Sequence, residues 1–346
     1  MKKISFTSLR SRLILLVLLV IIILMGLSVY RNIDGINKNR FNALDDAGRA
    51  AHNASLLYEQ TITKTQHIFF TLSQMPKFLQ QDTDACSKIL ASLLKETEIY
   101  SGLAAVKPNG EVYASAPFHT KSISFADHPL FQRLVQNRRF VIGEYLIGHL
   151  SGKATLVLAY PVIDNTGQLI TAFIAGLDLE KIQQMLCEVD LPEGANLSVI
   201  DSNGTILIRF PDPEKFVGKK MLAEAVVKTM LTKKEGVMEK VGLDNVPRLF
   251  GYTTIGSGIE AIHVGVGIPE QVAYKGIKEH MVREFTLLGL VSMLAFLGAW
   301  LLAGRLVISP VNHLIEVTNK LADGDMTVRA GQTDTLGGAW FIGFKF

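Results

Sequence analysis

Two charge-free apolar runs, Leu13–Tyr30 and Phe285–Gly304, bracket the chain and leave about 250 mostly polar-patterned residues between them. Each run is close to the roughly 20 residues that cross ~30 Å of hydrocarbon as a helix. Two crossings put the middle of the chain on the far side of a membrane from both ends. Lys2, Lys3, Arg10 and Arg12 precede the first run with no acidic residue among them, so residues 1–12 are expected to stay cytoplasmic. Residues 13–30 and 285–304 are then the transmembrane helices, and Arg305 follows the second on the cytoplasmic side. The competing reading of the N-terminus is a cleaved signal peptide with Gly26 and Ser28 before the cut. The run exceeds the usual apolar core of about 7–15 residues, which favours a retained anchor.

The net charge is +3 and is spread along the chain, so no basic face argues for nucleic acid. Cys86 and Cys187 are the only cysteines. They permit one disulfide and cannot build a framework. Sequons at Asn53, Asn196 and Asn203 matter only in a eukaryotic secretory pathway, to which nothing else in the chain points.

Residues 31 to about 95 contain Gly or Pro only at Gly35, Gly48 and Pro76. Phe41, Leu44, Ala47, Ala51, Ala54, Tyr58, Ile62, Thr65, Phe69 and Leu72 recur at spacings of three and four. That stripe predicts a long helix continuing outward from the first membrane run. It can pack on its own domain, and its small residues also suit a seam with a second copy. The pattern then changes to short strands. Leu103 to Tyr113 reads as a hairpin with Pro108-Asn109-Gly110 in the turn. Thr155–Val162 and Leu169–Leu177 read as strands around an Asp164–Gly167 turn, and Asp178–Glu188 as a helix.

Leu197-Ser-Val-Ile-Asp-Ser-Asn-Gly204 echoes Leu103-Ala-Ala-Val-Lys-Pro-Asn-Gly110 at an offset of about 94 residues. Strands at Arg248–Ile255 and Ile262–Ile268, followed by Pro269-Glu270-Gln271, repeat the strand, strand and helix order. A repeat of this length is a domain rather than a solenoid unit. The expected fold class is α+β: a long N-terminal helix and two tandem antiparallel-sheet modules, flanked by two transmembrane helices.

The chain resembles the double Cache sensor domains of bacterial transmembrane receptors over about residues 31–280. The resemblance rests on Asp127-His-Pro-Leu-Phe131, Val141-Ile-Gly-Glu-Tyr145, Tyr160-Pro-Val162 and Ala175-Gly-Leu-Asp178. It implies an extracytoplasmic sensor over 31–282, with PAS-like modules distal (about 95–190) and proximal (about 191–275) to the membrane. Residues 305–346 resemble the first part of a HAMP linker. Pro310 stands where that family has its proline, and a stripe runs from Val311 to Leu321. Asp334-Thr-Leu-Gly337 resembles the entry to the second HAMP helix. The closing Gly-Ala-Trp-Phe-Ile-Gly-Phe-Lys-Phe346 lacks a helical charge pattern. It reads as a broken end, as a frameshift or early stop in a longer receptor gene would leave. A short protein that hands its signal to a separate partner is the alternative.

No His-Glu-x-x-His, P-loop or Gly-x-Ser-x-Gly occurs, and Gly265-Val-Gly267 lacks the third glycine of a dinucleotide fingerprint. No catalytic residue, metal or cofactor is nominated. By resemblance, a small ligand (a carboxylate, an amine or similar) is expected in the distal module, held by Asp127, His128, Phe131, Tyr145, Tyr160 and Asp178. Asp178 either grips a ligand ammonium or caps the helix that follows. The amino-acid-binding branch of the family carries Arg, Trp and Tyr through the helix start. This chain has His128, Leu130 and Phe131 there, and so lacks the guanidinium that clasps an α-carboxylate. The expected product is a homodimeric receptor, joined through the long helix and the HAMP segment, in the inner membrane of a bacterium with both termini cytoplasmic. Its lost or partnered output would be a histidine kinase, a cyclic-dinucleotide enzyme or a chemotaxis rod. A membrane-anchored enzyme and a ligand-free structural or dominant-negative protein are the other classes.

Overall fold

A computed structural model describes residues 9–119, 123–148, 151–188 and 190–302. The segment read as a HAMP linker and aberrant tail, residues 305–346, lies outside the described residues. The chain divides into two units, Met1–Asn37 with Lys275–Phe346, and Lys38–Tyr274.

In the first unit, the start of helix α1 (Leu9–Ser73) and helix α9 (Lys275–Leu302) are each long and apolar enough to cross a membrane. Ile22, Ile23, Leu294 and Leu301 are all exposed. In water such surface is unfavourable by about 25 cal/mol per Å², whereas lipid accepts it. Where polar groups return, Glu284 on α9 faces Ser28, Arg31 and Asn32 on α1, at 3.4 Å from each.

The second unit consists of two sheets against one helix. After α1 come α2 (Pro76–Leu79) and α3 (Thr83–Glu96), the latter capped by Asp82, which accepts from the Ala85 N–H at 3.1 Å. The distal module follows: β1 (Tyr100–Val106), β2 (Val112–Ala116), α4 (Pro129–Asn137), β3 (Val141–Ile147), β4 (Ala154–Ile163), β5 (Leu169–Asp178) and α5 (Leu179–Cys187). The proximal module contains β6 (Asn196–Asp201), β7 (Ile206–Phe210), α6 (Pro213–Phe216), α7 (Ala225–Thr232), β8 (Gly236–Val241), β9 (Pro247–Ile255), β10 (Ile262–Pro269) and α8 (Glu270–Ala273). The sheets are antiparallel with orders β2-β1-β5-β4-β3 and β7-β6-β10-β9-β8, the same topology twice.

The repeat extends to single hydrogen bonds. Gly110 and Gly204 take φ of +90° and +78°, a region that favours glycine, and their N–H groups donate to Lys107 O and Asp201 O. Each glycine carbonyl then accepts from the returning chain, at Phe125 N–H and Met221 N–H respectively.

One face of both sheets shares a core with α1, which includes Ala47, Ala51, Ala54, Tyr58, Phe69, Leu103, Phe173, Leu197 and Val264. The opposite faces form separate cores, one under α4 and one under α7. The predicted stripe on α1 is buried from Ala47 to Leu72, but Phe41 is 70% exposed. Small residues on α1 allow a backbone-to-backbone approach: a β-carbon placed on Gly251 of β9 would lie 2.2 Å from the Gly48 nitrogen. Cys86, buried in α3, and Cys187 are free thiols, so the permitted disulfide is not formed.

Candidate functional site

The face of the distal sheet away from α1 carries a cavity of about 120 Å³. Its floor is β1, β5 and β4, contributing Ser101, Ala104, Ile174, Gly176, Thr155 and Val157. Its rim is Ile123, Phe125, His128, Leu146 and Ser151. The hollow exists because Gly176 interrupts an apolar central strand. A β-carbon there would lie 2.6 Å from Ser101 Oγ and 2.7 Å from Thr155 Cγ2. Isolated glycine inside a strand often marks such an approach. The floor hydroxyls are ordered: Ser101 Oγ and Thr155 Oγ1 are 3.0 Å apart, Ser101 Oγ donates to Gly176 O, and Thr155 Oγ1 reaches Lys153 O. None of the described lining residues is Asp, Glu, Lys or Arg, and the walls are chiefly aliphatic and aromatic.

Of the six residues read from the sequence, His128 lines this cavity. It is also the N-cap of α4, its Nδ1 accepting the Leu130 N–H at 3.2 Å, with its ring edge-on to Phe125. A neutral imidazole that accepts at Nδ1 carries its hydrogen on Nε2. Asp127 is exposed just before it. Phe131 packs into the core beneath α4, beside Leu130 and Leu134. Tyr160 faces α1, 6.3 Å between ring centroids from Phe69, and burial raises its hydroxyl pKa.

Tyr145 also packs on the helix side, and its hydroxyl would lie 2.7 Å from a β-carbon on Gly218 of the proximal module. It therefore bridges the two modules rather than lining the distal cavity.

Asp178 is buried at the end of β5, opposite Thr155 in the register. Its Oδ1 caps α5 by accepting from Glu180 and Lys181 N–H groups, and its Oδ2 accepts from Lys153 Nζ at 2.6 Å. That hydrogen bond raises the Lys153 pKa. The cap role is thus filled, and the position next to the cavity floor already holds an ammonium supplied by the chain itself.

Sequence reading did not find Ser101, Thr155, Leu146 or Gly176. The available signal was Gly176 within an otherwise apolar run. The hydroxyls carry no signal of their own, since Ser and Thr are common in strands that cover no site.

The Cache domain family profile matches residues 42–277, and the chain belongs to that family. Among solved structures, the extracellular domain of rpHK1S-Z16, a protein designated a histidine kinase, is similar at 16% identity and a TM-score of 0.55. That similarity covers 69% of this chain and 98% of the other. The ligand-binding domain of the Campylobacter jejuni chemoreceptor Tlp3, solved with 4-methylisoleucine, is similar at 10% identity and a TM-score of 0.54, over 68% and 94% of the two chains. That of the Pseudomonas fluorescens chemoreceptor CtaA, solved with L-alanine, is similar at 14% identity and 0.52, over 65% and 96%. No curated protein matches the sequence. The class defined is therefore a Cache sensor domain, similar in fold to the ligand-binding domains of histidine kinases and chemoreceptors and flanked by two apolar helices.

Proposed function

We propose that this protein is a membrane-anchored receptor whose extracytoplasmic sensor binds a small organic molecule in the distal cavity. Binding is relayed through α9 to a partial HAMP-type linker within residues 305–346. The observation that carries the reading is the Gly176 hollow, an apolar space with hydroxyls and one imidazole at its polar end. That is the composition of small-molecule sites. A cavity of about 120 Å³ admits a compact ligand, since one of roughly 150 Å³ takes a benzene ring. The ligand's apolar body lies against Leu146, Val157 and Ile174, and its polar end meets His128, Ser101 and Thr155. Without an arginine among the described lining residues, the site suits a neutral or weakly polar ligand better than a free α-amino acid. Signalling requires that the ligand favour one of two conformations, because equal affinity shifts nothing. The receptor acts as a homodimer in the cell membrane with both termini cytoplasmic.

The test is a thermal-shift screen of the full chain in nanodiscs against alcohols, amides, amines, carboxylates and amino acids. A ligand at 100 times its Kd adds about 2.7 kcal/mol, which raises the midpoint by roughly 5–10 °C for a domain of this size. The shift is expected to fall in Thr155→Val and His128→Ala. A shift retained in both variants would move the ligand out of this cavity.

A further inference from the structure

The proximal module has its own buried polar centre, under α7. Arg209 on β7 is only 2% exposed. Its Nη1 donates to Ser198 Oγ at 2.6 Å, and its guanidinium stacks over Phe216 at 5.0 Å. Its Nε has no hydrogen-bond partner. The nearby carboxylate, Asp244, is engaged elsewhere: Arg248 gives it hydrogen bonds from Nη2 at 2.7 Å and Nε at 3.1 Å, while Arg209 Nη2 stands at 3.7 Å. Two buried guanidiniums therefore share the Asp244 carboxylate, and Asp212 adds a weaker attraction on Arg209. Burial pulls the Arg209 pKa below its ordinary value, with Asp244 opposing. A buried donor left unpaired is unfavourable, because it has given up water without gaining a partner, so the arrangement asks for an acceptor.

Arg209 lines a small cavity of about 10 Å³ together with Ser198, Ile200, Val226, Met230 and Phe250. Met230 fills most of the hollow left by Gly265: its Cε and Sδ lie 2.8 and 3.0 Å from where a β-carbon on Gly265 would be. Met is an unbranched side chain that repacks readily, so the space can enlarge by a rotamer change without moving the sheet.

We propose that this centre is a second ligand site, for a short-chain monocarboxylate, with Arg209 Nε and Ser198 holding the carboxylate. The alkyl end replaces the Met230 thioether against Val226 and Phe250. The anion supplies the acceptor for Arg209 Nε that neither Asp244 nor Asp212, the two carboxylates whose charge Arg209 feels, provides. The site is independent of the distal cavity, since it lies in the other module and uses a guanidinium, which the described lining of the distal cavity does not contain.

The test is methyl NMR of the full chain in nanodiscs, labelled with [13C-methyl]methionine and titrated with sodium formate, acetate and propionate against matched sodium chloride. The Met230 resonance is identified by its loss in Met230→Leu. It is expected to move saturably with the carboxylates and not with chloride. Arg209→Gln is expected to weaken the effect roughly 10- to 100-fold, the value of a charged hydrogen bond. Arg209→Gln can fail to fold, so Met230→Ala provides a second arm. It enlarges the hollow, and butyrate is then expected to raise its thermal midpoint when it does not raise that of the wild type. A Met230 resonance unmoved by every carboxylate in a folded sample overturns the proposal. So does a shift that chloride reproduces, which would mean a bound water or an adventitious ion only.

Discussion

Asp178 shows how one carboxylate can hold a helix start and an ammonium at once. It caps α5 and holds Lys153 beside the cavity floor. Asp178→Ala removes the cap and is expected to cost about 1–2 kcal/mol. Asp178→Asn keeps a good cap and loses only the pairing with a half-exposed lysine, which contributes little. Equal losses of thermal midpoint in the two variants would show that the ion pair, not the cap, carries the stability.

His263 belongs to the same scale. It is buried in β10 with Nδ1 2.9 Å from Thr254 Oγ1, and burial lowers its pKa while Asp201 opposes. The unfolded histidine titrates near 6.5. The depressed folded value means that its contribution to stability is complete above that pH and is lost as the pH falls below it, because the unfolded chain takes up the proton first. The midpoint of the wild type should therefore fall more steeply than that of His263→Gln between about pH 7 and pH 5. Parallel curves would contradict this.

The same scale limits what a sequence reveals about a site. His128 was legible because it begins a recognisable turn-helix. Phe131, Tyr145 and Tyr160 were legible only as aromatics of that neighbourhood. Which face each takes depends on one-residue register, and the structure places none of the three in the cavity lining.

Among the elements, strand periodicity was enough to delimit β4, β5, β9 and β10 to within a residue, whereas β1 begins and β2 ends three residues outside the hairpin read at Leu103–Tyr113. β8 escaped because it is an exposed edge with charged side chains, Glu239 and Lys240, and no apolar alternation to read. Such charges protect an unpaired edge. The exposure of Phe41 was also illegible, since a stripe gives the angle around a helix but not where its partner sheet begins.

The approach of α1 to β9 makes a sharp prediction at this level. Gly251→Ala sets a methyl against the backbone of Gly48, and neither backbone can yield as a side chain would. The cost should reach about 3 kcal/mol, the upper part of the range for overpacking. It should appear as a large drop in thermal midpoint. Gly258→Ala, where nothing lies within 4 Å but φ is +64°, should cost about 1 kcal/mol from backbone strain alone.

For the whole molecule, the proposed topology can be read chemically. Cys86 and Cys187 can be replaced by Ala and Ser, and single cysteines placed at Lys234, exposed in the proximal module, or at Ser8 in the N-terminal segment. A membrane-impermeant maleimide added to intact cells should label the Lys234→Cys protein at once, and the Ser8→Cys protein only after permeabilisation. The reverse pattern would invert the receptor.

The face that α1 offers to both sheets also sets the rules for building hybrids. Phe69 stacks on Phe173 of one sheet, and Gly48 sits against Gly251 of the other. A hybrid that imports one module and keeps the resident helix would press a foreign sheet onto a wall cut for another. The transplantable cassette is therefore the complete stretch from Lys38 to Tyr274, with its own helix retained and the splice points at its two ends.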